Sequence, residues 1–285
     1  MIETFYKNIQ EEQEDYFAEI CLDFFNERLR VDDYRGNIPS LLGKIKSYVN
    51  AHQFTKVIIK ARQEHVQLFL KNGYQPEALF KDYFNGSHAV AMTKYFTNER
   101  RKSEYWMDED ELLEKVSALP LKKDVPLLPE NYHLRLAETK DADGLAKLYG
   151  EVFEIYPTPM NDSTYIKKMM NDGTLFYIVE TNGQIVSAAS ADINYTYHNA
   201  ELTDCATLPE HRKFGLMKVL IASLEEELKK RQIFCAYSIA RSLSFGMNAV
   251  FHQRGYEYTG RMAKNCKIFD KWEDMNLWVN DLSQN

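Results

Sequence analysis

Apolar residues recur at helical spacing over residues 216–231, with Leu216, Val219, Leu220, Leu224 and Leu228 on one face, and at strand spacing over 201–208 just ahead of them. The polar turn 209–214 lies between, so a strand feeds a helix through a short basic connection. Upstream, the pattern predicts a strand over 132–137, a helix over 141–153 broken at Ile155-Tyr156-Pro157-Thr158-Pro159-Met160, and a second helix over 162–171. Strands over 175–181 and 184–193 meet at Asn182-Gly183, the strongest short hairpin signal in the chain. Downstream come a strand over 236–240, a short helix ending in 251–256, and strands to the C-terminus.

The first third carries a related order. Residues 38–49 have helical spacing, 56–60 read as a strand, 65–70 as a helix closed by Gly73, and 79–84 with 89–96 as a hairpin around Asn85-Gly86. Residues 3–28 mix Phe5, Ile9, Tyr16, Phe17, Ile20, Phe24 and Phe25 with many acids, which fits either a strand followed by a helix or one long helix. Phe69-Leu70-Lys71-Asn72-Gly73-Tyr74 aligns without a gap on Phe251-His252-Gln253-Arg254-Gly255-Tyr256, and Ile59-Lys60-Ala61-Arg62 corresponds to Ile239-Ala240-Arg241. A weak internal repeat is expected, in which residues 1–97 are a truncated, degenerate copy of the second half. Residues 98–131, highly charged and carrying Pro120, Pro126 and Pro129, form the linker to a second domain over 132–285.

Length, 285 residues, and 45% hydrophobic content suit two globular domains. A net charge of −7 argues against non-specific nucleic-acid or anionic-membrane binding and favours an amine-bearing small molecule. Cys21, Cys205, Cys235 and Cys266 form no C-x-x-C pair, so neither a metal nor redox chemistry is expected. With no signal-like or spanning apolar run, a cytoplasmic location is expected. Oligomeric state is not legible.

The chemistry gathers at the strand-turn-helix. A helix N-terminus presents unpaired N–H groups and the positive end of the helix dipole, Arg212, Lys213 and Lys218 add charge, and Gly215 lets a ligand approach the backbone. That is a pyrophosphate site. Arg212-x-x-Gly215 after a strand resembles the acyl-CoA signature of the GNAT acetyltransferase superfamily, departing from it where Met217 replaces a small residue. The element order is also that of the GNAT fold, an α/β (α+β) class with a mixed central sheet flanked by helices, here preceded by the smaller truncated copy. Glu201-x-Thr203-Asp204-x-Ala206-Thr207-Leu208-Pro209, Arg241-Ser242-x-Ser244-x-Gly246-Met247-Asn248, the Tyr156-Pro157-x-Pro159 loop and Glu273-Asp274-Met275-Asn276-x-Trp278 resemble the β-lysine N-acetyltransferases.

That resemblance implies transfer of acetyl from acetyl-CoA, as co-substrate and without a metal, to the side-chain amine of β-lysine, giving a compatible solute or catabolic intermediate. Cofactor contacts are expected from Ala206, Thr207, Leu208, Arg212, Lys213, Phe214, Gly215, Leu216, Met217, Lys218 and Ser244. An ammonium with a pKa of about 10.4 must lose a proton before attack. Glu201 is the first candidate base by its offset in the superfamily and Asp204 the second; strand alternation puts Asp204 on the opposite face unless a bulge intervenes. The tyrosine that protonates the leaving thiolate in many relatives is Phe251 here, which passes the role to Tyr256, Tyr258, Ser244 or a water, or leaves the thiolate to depart unprotonated. Arg241 is the leading clamp for the acceptor carboxylate, and Tyr156 and Asn248 are expected on the acceptor side. A different amine (polyamine, diamino acid or protein lysine) is the alternative acceptor, and a non-catalytic acyl-CoA-binding module, suggested by Met217 and Phe251, is the third reading.

Overall fold

A computed structural model describes residues 4–269 and 271–284. The chain opens with β1 (Tyr6–Glu12), β2 (Tyr16–Asp23) and β3 (Arg28–Gly36), followed by α1 (Ile38–His52), β4 (Lys56–Arg62), α2 (Val66–Lys71), β5 (Gln75–Phe84) and β6 (Ser87–Tyr95). Both helical readings of the first thirty residues are therefore corrected. Tyr16, Ala18 and Ile20 alternate with the less buried Phe17 and Glu19, and β2 pairs antiparallel with β1 and β3. Tyr16, Ile20 and Phe24 also fit a helical period, but the sheet buries the dense aromatic run better than one helix face does.

Next come α3 (Asn98–Arg101) and α4 (Trp106–Ser117). The region expected to be a linker is packed: Val116 is fully buried in the core of the second half, and Arg261 reaches Glu109 at 3.4 Å and Asp110 at 2.8 Å. The second half holds β7 (His133–Leu136), α5 (Ala142–Val152), α6 (Ser163–Asn171), β8 (Leu175–Thr181), β9 (Gln184–Asn194), β10 (Asn199–Thr207), α7 (Leu216–Lys230), β11 (Cys235–Arg241), α8 (Phe245–Gln253), β12 (Glu257–Ile268) and β13 (Lys271–Asp281). At both hairpin turns, Asn85-Gly86 and Asn182-Gly183, both central residues have positive φ, as a two-residue turn between right-twisted strands requires.

All strands join one 13-stranded sheet in the order β1-β2-β3-β4-β6-β5-β12-β13-β11-β10-β9-β8-β7. Each half contains a run of antiparallel strands, three in the first and four in the second, then a helical crossover to a parallel neighbour and a closing hairpin. In the first half the parallel pair is β3 with β4, in the second β10 with β11. The halves meet edge to edge where Gly260 of β12 pairs with Ala78 of β5. Ile58, Phe80, Tyr83, Phe84, Tyr237, Met262 and Leu277 fill an apolar seam behind this joint. Polar anchors reinforce it. Fully buried Lys56 donates to the carbonyl of Ala263 at 2.7 Å and pairs with Glu77 at 3.2 Å, while Arg100 donates to the carbonyls of Lys264 and Asn26.

Candidate active site

The parallel pairing of β10 with β11 lasts only from Asn199↔Cys235 to Glu201↔Tyr237. Beyond Glu201 the two strands separate, and the backbone of residues 203–207 loses its neighbour on that side. The gap becomes a cavity of about 630 Å³, the larger of the two at this site, lined by Thr203, Cys205 and Thr207 of β10, Gly215, Leu216, Met217 and Lys218 at the start of α7, and Ser238, Arg241, Ser244 and Phe251. A short 3₁₀ turn, Pro209–Phe214, carries the chain from β10 to Gly215, whose φ of 70° admits a left-handed residue at the N-cap of α7. The first-turn N–H groups of Leu216 and Met217 have no acceptor within the helix, and both residues line this end of the cleft. Arg212 also lines it, its Nε donating to the carbonyl of Thr207 at 3.1 Å. An unpaired strand backbone running into a helix N-terminus with Arg212 and Lys218 beside it fits an extended arm ending in a diphosphate.

Of the expected cofactor contacts, Thr207, Arg212, Gly215, Leu216, Met217, Lys218 and Ser244 line the cleft. Ala206 and Leu208 are buried in the strand, and the carbonyl of Ala206 and amide of Leu208 are bonded to Ser187 and Val186 of β9. Lys213 lies outward over the Phe214 ring, which itself packs on Tyr132.

A second cavity, of about 300 Å³, lies further back along β10, between the two halves of the chain. Glu201, Thr203 and Asp204 of β10, Asp192 of β9, and Tyr156 and Tyr165 form one wall; Tyr6, Cys21, Arg28, Arg30, Ile58 and Lys60 of the first half form the other. Tyr6 and Tyr165 meet across it, hydroxyl to hydroxyl, at 3.1 Å. The two cavities share Tyr156, Thr203, Asp204, Ile239, Ile268 and Met275, so they adjoin at Asp204.

Asp204 reaches this junction because β10 bulges: the register with β9 shifts between Thr203 and Ala206, and Asp204 takes a φ of 49°. Two residues there oppose one, which turns a side chain that simple alternation would aim elsewhere. Its carboxylate accepts from Ser190 Oγ at 2.6 Å and from Tyr156 OH at 3.2 Å. Burial pushes the Asp204 carboxyl up to about 6, against the lowering effect of those two hydrogen bonds. Burial also raises the Glu201 carboxyl, to about 7; Lys60 and Arg30 hold it down, Asp192 and Asp204 push it further up. Burial likewise raises Asp192. A carboxyl near 7 is matched to proton abstraction at neutral pH.

Other expected site residues fall elsewhere. Tyr256 is 3% exposed, packs edge-on against Phe251, and lines neither cavity, so it offers no proton to a ligand there. Asn248 is fully buried; its Nδ2 donates to the carbonyls of Arg241 and Ser244 and its Oδ1 accepts from Asn276 and Trp278, a structural knot rather than an acceptor contact. Arg241 lines the larger cavity, 3.4 Å from Glu273, and is absent from the smaller one that holds Glu201. Sequence reasoning missed Asp192, Ser190, Tyr165, Arg30 and Lys60. Charged residues at mid-strand between buried apolar neighbours, as in Arg30-Val31-Asp32 and Ile59-Lys60-Ala61, were the available signal. Among the described residues no cluster of His, Cys, Asp and Glu could hold a metal, and no helix is long and apolar enough to cross a membrane.

The acetyltransferase (GNAT) family model matches residues 142–256. The N-acetyltransferase YodP of Bacillus subtilis (strain 168) is 39% identical over 262 residues, 91% of this chain and 94% of that protein. The β-lysine N(6)-acetyltransferase of Methanococcus maripaludis is 34% identical over 91% of this chain and 94% of its own length, and that of Methanosarcina mazei 34% identical over 86% and 98%. The similarity thus includes the first half of the chain.

Proposed function

The chain belongs to the GNAT acetyltransferase family and is an acetyl-CoA-dependent N-acetyltransferase; we propose that its acceptor is the side-chain amine of β-lysine. The observation that carries this reading is the meeting of the two cavities at Asp204, with Glu201 and Asp192 beside it on one wall of the smaller cavity. Asp192, Glu201 and Asp204 form no direct ion pair among the described residues, so none of the three is committed to a cation of the protein and each can meet an amine of the ligand. Two relatives named for the N(6)-acetylation of β-lysine add support.

The acetyl donor supplies an activated thioester at the junction. Glu201, with its carboxyl near 7, takes the proton from the entering ammonium, directly or through a water. Asp204, fixed by Ser190 and Tyr156, orients that ammonium towards the cleft, and Asp192 faces the second amine of the acceptor. Backbone N–H groups of β10 past the bulge, freed from pairing with β11, are donors for the carbonyl oxygen of the thioester. With Phe251 fully buried at the base of the cleft, the thiolate leaves unprotonated or takes its proton from solvent or Ser244.

The test is an acceptor panel with labelled acetyl-CoA: β-lysine, α-lysine, ornithine, spermidine and a lysine-containing peptide. A kcat/KM for β-lysine at least tenfold above every other amine supports the assignment, and equal rates on β-lysine and spermidine reject it.

A further inference from the structure

Three cations from the first half line the acceptor cavity, and their hydrogen-bonding donors are not equally committed. Arg28 donates through Nε to Asp23 at 2.8 Å and through Nη1 to the carbonyl of Asn265 at 2.9 Å. Lys60 pairs with Asp32 at 3.0 Å, donates to Tyr83 OH at 2.9 Å, and sits over the rings of Phe80, Tyr83 and Tyr237. Arg30 is different. Its Nε is buried with no hydrogen-bond partner, and its one contact with Asp32 is at the limiting 3.5 Å. A guanidinium offers five donors in a planar fork, so most of those on Arg30 remain available to a ligand.

The topology explains why this side chain faces Glu201. In each parallel pair the third matched residue of the leading strand is charged: Glu201 opposite Tyr237 in the second half, Arg30 opposite Ile58 in the first. The two halves set these corresponding positions on facing walls of one cavity, and the two charges interact across it. The duplicated fold therefore gives the pocket a cationic side and an anionic side.

We infer that Arg30 is the carboxylate clamp of the acceptor site, a specificity-determining residue that makes the enzyme select an amino acid over a simple diamine. The inference rests on the reading of this pocket as an amine-acceptor site and takes it further. A bidentate guanidinium–carboxylate contact fixes the far end of the acceptor, and the chain between carboxylate and side-chain amine spans the pocket to Glu201 and Asp204. The first half, which keeps the fold but has no cofactor cleft among the cavities described, thereby holds a substrate-recognition role. At its corresponding helix start, Asn37 caps the amide of Ser40 and Pro39 removes a donor, so that terminus has little left for a diphosphate.

The experiment compares wild type, R30Q and R30K on β-lysine and on 1,5-diaminopentane, which keeps two amines and lacks the carboxylate, with acetyl-CoA affinity measured by calorimetry for each protein. The expected result is a fall of about 100-fold in kcat/KM for β-lysine in R30Q, carried by KM, with the slow turnover of the diamine changed by less than about threefold. R30K keeps the charge without the fork and falls about tenfold on β-lysine alone. Should R30Q fail to bind acetyl-CoA through misfolding, the same ratio measured in R30K decides the matter. Equal losses on both amines, or a preference for β-lysine that survives both substitutions, overturns the clamp while leaving the acceptor assignment standing. A wild type that uses the diamine as well as β-lysine overturns the acceptor assignment, and the clamp with it.

Discussion

Glu201 and Asp192 stand directly opposite one another in the antiparallel pairing of β10 with β9, and both line the cavity between the two halves, the proposed acceptor site. Like charges in facing strand positions repel, so a pair kept in this place is held at a cost in stability and suits a ligand that brings positive charge. With burial as the larger cause and Asp192 adding to it, Glu201 titrates near 7. In the proposed role of base, it works only when ionised. The rate should therefore fall as pH drops below about 7, approaching tenfold per pH unit. In E201Q that limb should disappear, together with about 10²–10⁴ of kcat. D192N keeps the base but removes a neighbouring negative charge, so its limb should move to lower pH. A pH profile of kcat/KM on β-lysine for the three proteins checks this; a limb unmoved in D192N would mean that the pair is not electrostatically coupled.

The same carboxyl makes a stability prediction. Its folded-state value, about 7, lies above its ordinary 4.5, so the folded protein holds this proton more tightly than the unfolded chain. Its contribution is most favourable below pH 4.5 and is lost as pH rises to about 7. The loss corresponds to at most roughly 3 kcal/mol. E201Q, which cannot ionise, should be more stable than wild type at pH 8 and close to it at pH 4.5. Urea denaturation at the two pH values measures the difference, and an equal effect at both would exclude ionisation as its source.

Gly215 supports a prediction on the cofactor side. Its φ of 70° disfavours any L side chain, and an added Cβ would lie 3.2 Å from Cγ of Pro126. G215A should cost about 1–2 kcal/mol of backbone strain and shift the N–H groups at the start of α7. Acetyl-CoA affinity should weaken by about tenfold or more in titration calorimetry, with the pH limb of Glu201 unchanged. R212A should weaken it independently, since Arg212 reaches the same end of the cleft.

What can be read from the chain follows from how local each feature is. The turn into α7, the hairpins at Asn85-Gly86 and Asn182-Gly183, and Glu201 with Asp204 as the carboxylates of β10 depend on neighbouring residues, and their signals are present in short windows. The bulge at Asp204 is legible only as a condition, because nothing in Thr203-Asp204-Cys205 demands a positive φ. Arg30, Lys60 and Asp192 escape a reading of the sequence because their role arises when strands far apart in the chain close one pocket. Asn248 and Tyr256 mislead for the converse reason: polar residues near a motif serve as readily to satisfy buried partners, and only packing distinguishes the two.

The joint between the halves gives the last prediction. Gly260 meets Ala78 at the single matched position of β12 and β5, where an added Cβ would come within 2.2 Å of the Glu77 carbonyl oxygen and 2.5 Å of the Ala78 Cα. Backbone cannot yield as a flexible side chain does, so even alanine must push the strands apart. G260V should lose about 3 kcal/mol or more in urea denaturation. Function should divide along the same line. Every residue of the cofactor cleft comes from the second half, whereas the acceptor cavity takes one wall from each, so separating the strands displaces Arg30 and Lys60 relative to Glu201. At a temperature where G260A remains folded, its KM for β-lysine should rise at least tenfold while acetyl-CoA affinity stays within about twofold of wild type. A parallel loss of both would place the effect of the joint on the whole fold, and an unchanged KM would show that the acceptor pocket does not depend on how the halves are held.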